Sequence, residues 1–132
     1  TLFPYTTLFR SSLQVVCGGT VVPTATVKLL HAGEVLEATS PGNGAVDAAM
    51  KAIDLLVKRT GHLAVYLVEA VTEGQDALGE VTLKVDFGDG RLITGKGAST
   101  DVIEASARAY VNAINRALLM EQPKPGIEMP LV

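Results

Sequence analysis

Residues 81–118 read VTLKVDFGDGRLITGKGASTDVIEASARAYVNAINRAL, and the order of patterns inside this stretch decides the fold. Val81, Leu83, Val85 and Phe87 alternate with Thr82, Lys84 and Asp86, the two-residue period of a strand with one buried face. GDG then turns the chain into a short strand over Arg91–Thr94. Beyond the glycine-bracketed GKGAST the apolar spacing changes to the three-and-four rhythm of an amphipathic helix. Upstream, Leu63–Val71 is apolar on both faces, which predicts a central strand.

The first half repeats the order. Leu13–Cys17 is a short apolar strand, Thr24–Leu30 and Glu34–Thr39 flank the turn HAG as a hairpin, and PGNGAVDAAMKAIDLLVKR switches to helical spacing. The glycines support the repeat, Gly42 and Gly44 aligning with Gly95 and Gly97, and Asp47 with Asp101 after one inserted residue. A half of roughly 50 residues buries too little surface to stand by itself. The expected architecture is therefore α+β, two pseudo-twofold-related βββα units sharing one core. Ala105, Ala109, Ala113 and Ala117 form a flat stripe on the second helix, which closes either on its own sheet or on a helix of a second subunit.

Composition narrows the function. With 132 residues, 48% hydrophobic and 19% charged, the chain suits one globular domain. A net charge of −3 supplies no basic field for nucleic acid or an anionic membrane, and no apolar run approaches the roughly 20 residues of a membrane span. The single cysteine, Cys17, reads as a small buried hydrophobe and suits a reducing, cytoplasmic setting. TLFPYTTLFRS, residues 1–11, reads as a translated sequencing-library adapter, with an ordinary edge strand as the alternative. The expected domain spans 12–119, and the proline-bearing stretch 120–132 reads as a flexible tail.

A glycine turn before a helix suggests a phosphate site, but the spacing fails. GKGAST is too short for a Walker loop, and Thr100 and Val46 stand where the third glycine of a dinucleotide motif belongs. Asp101 and Glu104 can cap the helix themselves and would repel a phosphate. A small zwitterion fits better: amides of the Gly42–Gly44 and Gly95–Gly97 turns for its carboxylate, Asp47 and Asp101 for its ammonium. Val46, Ala49 and Ile53 offer an apolar face beside the first turn. The plain alternative is that the glycines are turn chemistry, the aspartates caps and the stripe core. No catalytic set stands out: His31 and His62 read as surface histidines, and Ser99, Thr100 and Ser106 have no base nearby in sequence, the first two reading as caps.

GNGAVDAAMKAID, DALGEVTLKV and GKGASTDVIEASARAYVNAINR together resemble the C-terminal regulatory domain of 2-isopropylmalate synthase, the LeuA dimerisation domain, over about Leu13–Leu118. The departure is Ala45, where the family has proline; a proline there presets φ, so Ala45 leaves a looser first turn and one more free N–H. The resemblance implies a homodimer that binds leucine, or a related branched-chain amino acid, to inhibit a separate catalytic barrel. That barrel condenses acetyl-CoA with 2-oxoisovalerate using a divalent metal, so this stretch is expected to hold no catalytic residue, metal or cofactor of its own. The implied effector residues are Gly42, Asn43, Gly44 and Ala45 with Val46, Asp47, Ala49 and Ile53, and also Gly95, Gly97, Ala98, Ser99, Thr100 and Asp101. Citramalate synthase has a similar domain answering to isoleucine. One methyl position separates the two effectors, worth about 1–3 kcal/mol.

Overall fold

The computed structural model describes residues 9–18, 21–71 and 77–121. Most of the expected segment 1–11 and nearly all of the tail lie outside these residues. Two three-stranded antiparallel sheets are each followed by a helix: β1 (Arg10–Gly18), β2 (Val21–His31), β3 (Glu34–Pro41) and α1 (Ala45–Val57), then β4 (His62–Ala70), β5 (Gly79–Asp86), β6 (Leu92–Ser99) and α2 (Val102–Glu121). Sheet order is β1-β2-β3 and β4-β5-β6. The expected pair of βββα units is present. Helix α2 continues through Met120 and Glu121, two residues into the stretch read as tail.

Local chemistry sets the turns. Ala32 and Gly33 both take positive φ, 54° and 81°, the two-residue connection whose twist matches a β-hairpin. In the second half, Asp86 Oδ1 accepts the N–H groups of Gly88 at 2.7 Å and Gly90 at 3.1 Å, folding GDG back on the end of β5.

One core joins the halves. Val27 and Leu29 of β2, Ala52 and Ile53 of α1, Val81, Leu83 and Val85 of β5, and Tyr110 and Ile114 of α2 belong to a single buried cluster. The start of β1 is tied to the far end of the chain: Asn115 Oδ1 accepts the Phe9 N–H at 2.9 Å and Asn115 Nδ2 donates to the Phe9 carbonyl at 3.1 Å.

The alanine stripe closes on its own sheet. Ala105, Ala109, Ala113 and Ala117 are all buried, and the first three face Gly95 and Gly97 of β6. A methyl at Gly97 would lie 2.5 Å from the Ala105 carbonyl oxygen and 2.6 Å from the Ala109 nitrogen, so the strand approaches the helix as only glycine permits. The same helix covers the outer edge of β6, Asn112 Nδ2 donating to the Lys96 carbonyl at 2.6 Å and Arg108 Nη1 to the Ala98 carbonyl at 3.1 Å.

The expectation for Leu63–Val71 is overturned. Instead of a central strand, β4 is the edge of the second sheet, exposed along its length, with a bulge between Leu63 and Val65. Its two apolar faces are real, but neither helix covers them as α2 covers β6. Leu63, Val65, Tyr66, Leu67 and Val68 are each about two-fifths exposed or more. So long an apolar edge strand is one that proteins normally protect.

Candidate functional site

Helix α1 divides its residues between two surroundings. Ala48, Ala49, Ala52 and Ile53 are buried against the sheets. Val46, Met50 and Asp54, successive at i, i+4 and i+8, lie along the other face together with Asp47 and Lys51. Between this face and the segment Thr60–Leu63 and Tyr66 lies a cleft of about 610 Å³. That volume falls within the roughly 300–1,000 Å³ usual for small-molecule sites. Its walls are Val46, Met50, Leu63 and Tyr66, and its polar groups belong to Asp47, Lys51, Asp54, Thr60 and His62.

One end of the cleft is the start of α1. Gly44 is the N-cap, extended at φ −178° and ψ 175°, with no side chain to bond the first amides. The first intrahelical bond runs from the Ala48 N–H to the Gly44 carbonyl at 2.9 Å. The N–H groups of Ala45, Val46 and Asp47 have no partner among the described residues, as the first turn of a helix requires unless something caps it. Asp47 turns back to accept the Asn43 N–H at 2.8 Å and pairs with Lys51 at 3.0 Å. Those two contacts, the amide foremost, hold its carboxyl below the usual carboxylate range. Gly42 donates to the Pro23 carbonyl at 3.0 Å, and a methyl on it would strike the Ala48 nitrogen, so it lets the chain pass close to the helix.

The other end is Asp54. Its carboxylate accepts a hydrogen bond from the Tyr110 hydroxyl of α2, with the Gly61 amide nearby as a second favourable dipole. Burial raises its pKa; the Tyr110 bond, the Gly61 amide and nearby His62 oppose that rise. Tyr110 itself is buried, and its hydroxyl is held protonated far above the ordinary phenol range by burial and by the carboxylate. Gly61 makes the arrangement possible, because a side chain there would collide with the Tyr110 hydroxyl and with Val85. A second tie joins the cleft to α2: Tyr66 Oη lies 2.6 Å from Ser106 Oγ, whose hydroxyl also reaches the Val102 carbonyl at 2.7 Å.

Residues 7–118, both βββα units short of the last three residues of α2, match the family described as the LeuA allosteric (dimerisation) domain. The chain belongs to this family. It is 60% identical over 104 residues to a 2-isopropylmalate synthase of Methylacidiphilum infernorum, covering 79% of this chain and 20% of that protein. It is 50% identical over 117 residues to one of Olsenella uli, covering 87% and 23%. For one of Carboxydothermus hydrogenoformans the figures are 50% over 107 residues, covering 81% and 21%. The chain thus spans about a fifth of the length of the curated relatives it matches.

Within this LeuA domain the expected site residues separate. Val46 and Asp47 line the cleft, and Gly42, Asn43, Gly44 and Ala45 form the turn leading to it. Ala49 and Ile53 do not line it; at 1% and 0% exposure they belong to the interior, because the helix turns its Val46–Met50–Asp54 face outward instead. The second group is not a turn. Gly95, Gly97, Ala98 and Ser99 lie in β6, paired with β5, so their glycines serve close packing rather than an exposed row of amides. The helix start that corresponds to Gly44 is Asp101, whose Oδ1 accepts the Ile103 N–H at 2.9 Å. Ser99 precedes this cap, accepting the Asp101 N–H at 3.1 Å and donating to Glu104 at 2.5 Å; Thr100 takes no cap bond. The two glycine pairs are therefore not structural equivalents.

Sequence reading missed Met50, Lys51, Asp54, Thr60, Gly61, His62, Leu63 and Tyr66 as cleft residues. Asp54 gave a signal: a carboxylate inside the otherwise apolar run AIDLLV needs a partner when its helix packs on a sheet. Of the described residues, no three His, Cys, Asp or Glu side chains group as a metal site would, and no helix is long and apolar enough to cross a membrane.

Proposed function

We propose that this domain is the feedback sensor and dimerisation unit of a 2-isopropylmalate synthase, and that leucine is the effector taken up by the α1–β4 cleft. The observation that supports it most is the cleft itself. It combines an apolar wall of Val46, Met50, Leu63 and Tyr66, which suits a branched aliphatic chain, with polar ends that suit a zwitterion. The relatives' shared name favours leucine over isoleucine. In this reading catalysis, with its divalent metal and acetyl-CoA, resides in a separate domain of the whole enzyme, and the chain acts by binding alone.

The same reading gives β4 a purpose. Its uncovered apolar edge adjoins the cleft through Leu63 and Tyr66, and a second copy of the chain would cover it. A homodimer so formed places the effector beside the subunit contact, where occupancy can alter how the copies sit.

Titration calorimetry and thermal melting of the full chain with millimolar leucine and isoleucine test the assignment. Heat and a rise in melting temperature with leucine, larger than with isoleucine, are expected, since a ligand bound only by the folded state stabilises it by mass action. A dimer that answers to neither amino acid would leave only the assembly role standing.

A further inference from the structure

The cleft offers two carboxylates for an effector's ammonium, one at each end, and they are not equivalent. Asp47 and Asp54 are seven residues apart on α1, about 10 Å along the axis. The ammonium and carboxylate of an α-amino acid share one carbon and lie within about 4 Å of each other. A single molecule therefore cannot set its carboxylate on the free amides of Ala45–Asp47 and its ammonium on Asp54. One end receives the whole head group.

Asp47 is already engaged. It takes the Asn43 amide and the Lys51 ammonium, and both members of that ion pair are about half exposed to solvent. An incoming ammonium would have to displace Lys51 or share its charge in water, where such pairs contribute little. Asp54 is different. It is half-buried, and no described Lys or Arg forms an ion pair with it. A carboxylate has about four lone-pair sites, and Tyr110 uses one of them. Burial without a Lys or Arg partner, with His62 alone as a nearby favourable charge, leaves the carboxylate costly, a cost that a cation entering the cleft offsets.

Resting on the reading of the cleft as an amino-acid site, we propose that Asp54 is the ammonium acceptor, held in aim by the Tyr110 hydroxyl. The effector's carboxylate then lies by Thr60 and His62, and its side chain runs back along Met50 and Leu63 towards Val46. Tyr110 acts through Asp54 and is a positioning residue. Because Tyr110 belongs to α2, filling the cleft also changes the load on a helix of the other half.

The test is calorimetry on the full chain with three ligands: leucine, leucinamide, which keeps the ammonium, and 4-methylpentanoate, which lacks it. Leucine should bind most tightly, and 4-methylpentanoate about 10- to 100-fold more weakly, the worth of one charge-assisted contact. Asp54→Asn should weaken leucine by a similar factor and leave 4-methylpentanoate unchanged. Tyr110→Phe should weaken leucine a few-fold without abolishing it. Wild-type chain that binds 4-methylpentanoate as well as leucine overturns the assignment, even should Asp54→Asn not fold. So does leucine binding that survives Asp54→Asn but is lost in Gly44→Asp, which would put the head group at the start of α1 and leave the sensor reading intact. No leucine binding by the wild type would reject the sensor reading itself, and this inference with it.

Discussion

Tyr66 on the edge strand β4 and Ser106 on α2 share a hydrogen bond of 2.6 Å, although 40 residues separate them. Ser106 is one helical turn before Tyr110, which holds Asp54. Consecutive turns of α2 thus grip both walls of the cleft, one through β4 and one through α1. Tyr66→Phe keeps the ring and removes the grip. It should lower stability by about 1 kcal/mol, the net worth of such a bond, as read from urea unfolding. No loss would mean that solvent replaces the contact without cost.

Gly97→Ala should be far more damaging than its size suggests. The added methyl meets helix backbone, 2.5 Å from the Ala105 carbonyl oxygen, and backbone cannot rotate away. Overpacking of this kind costs about 1–3 kcal/mol. Gly44→Ala is the matched control, since a methyl there would meet nothing within 4 Å and its φ of −178° suits any residue. Equal melting temperatures for the two variants would contradict the close approach of β6 to α2.

Leu67→Glu tests the role of β4. Leu67 is 48% exposed in the single chain, so a carboxylate there costs the monomer little. Buried in a contact between copies, it would be unpaired and would weaken assembly. Sedimentation should show wild-type dimer and mostly monomeric variant at micromolar concentration. A variant that sediments as wild type would move the contact elsewhere.

Asp54 also sets a pH dependence. Its folded pKa is raised above the usual 3.8, by burial first. The stability it contributes is therefore complete below the unfolded pKa and is lost as pH rises through the folded one. Relative to Asp54→Asn, which does not titrate, the wild type should be at its best near pH 3.5 and should lose ground by pH 7. Urea unfolding at both pH values gives the difference. An unchanged gap, or one of opposite sign, would contradict a desolvated carboxylate.

The architecture was legible because strands and helices leave different periods in the sequence. Val81 to Phe87 alternates as β5 requires, and α2 shows its stripe. The readings that failed concern partners rather than periods. Leu63–Val71 is apolar on both sides for a central strand and for an edge awaiting another surface alike; only sheet order distinguishes them. Glycine in GKGAST permits a turn and also permits a helix to press on a strand, and the distinction lies in Ala109 and Ala113, more than ten residues away. Part of the cleft lining is visible in the sequence: Val46 and Asp47 follow directly from the N-cap, whereas Asp54 depends on Tyr110, a contact that no local pattern encodes.

The notches at Gly95 and Gly97 limit how this half can move. Glycines two apart on a strand are spaced about 6.8 Å, and alanines four apart on a helix about 6 Å, so the two series mesh like teeth over this short run. Sliding α2 along β6 by part of a turn would drive alanine backbone into strand backbone at both positions. A displacement beginning at Tyr110 cannot be absorbed as slippage there; it must tilt helix and sheet together, as a stiff plate carrying β4 at its far margin.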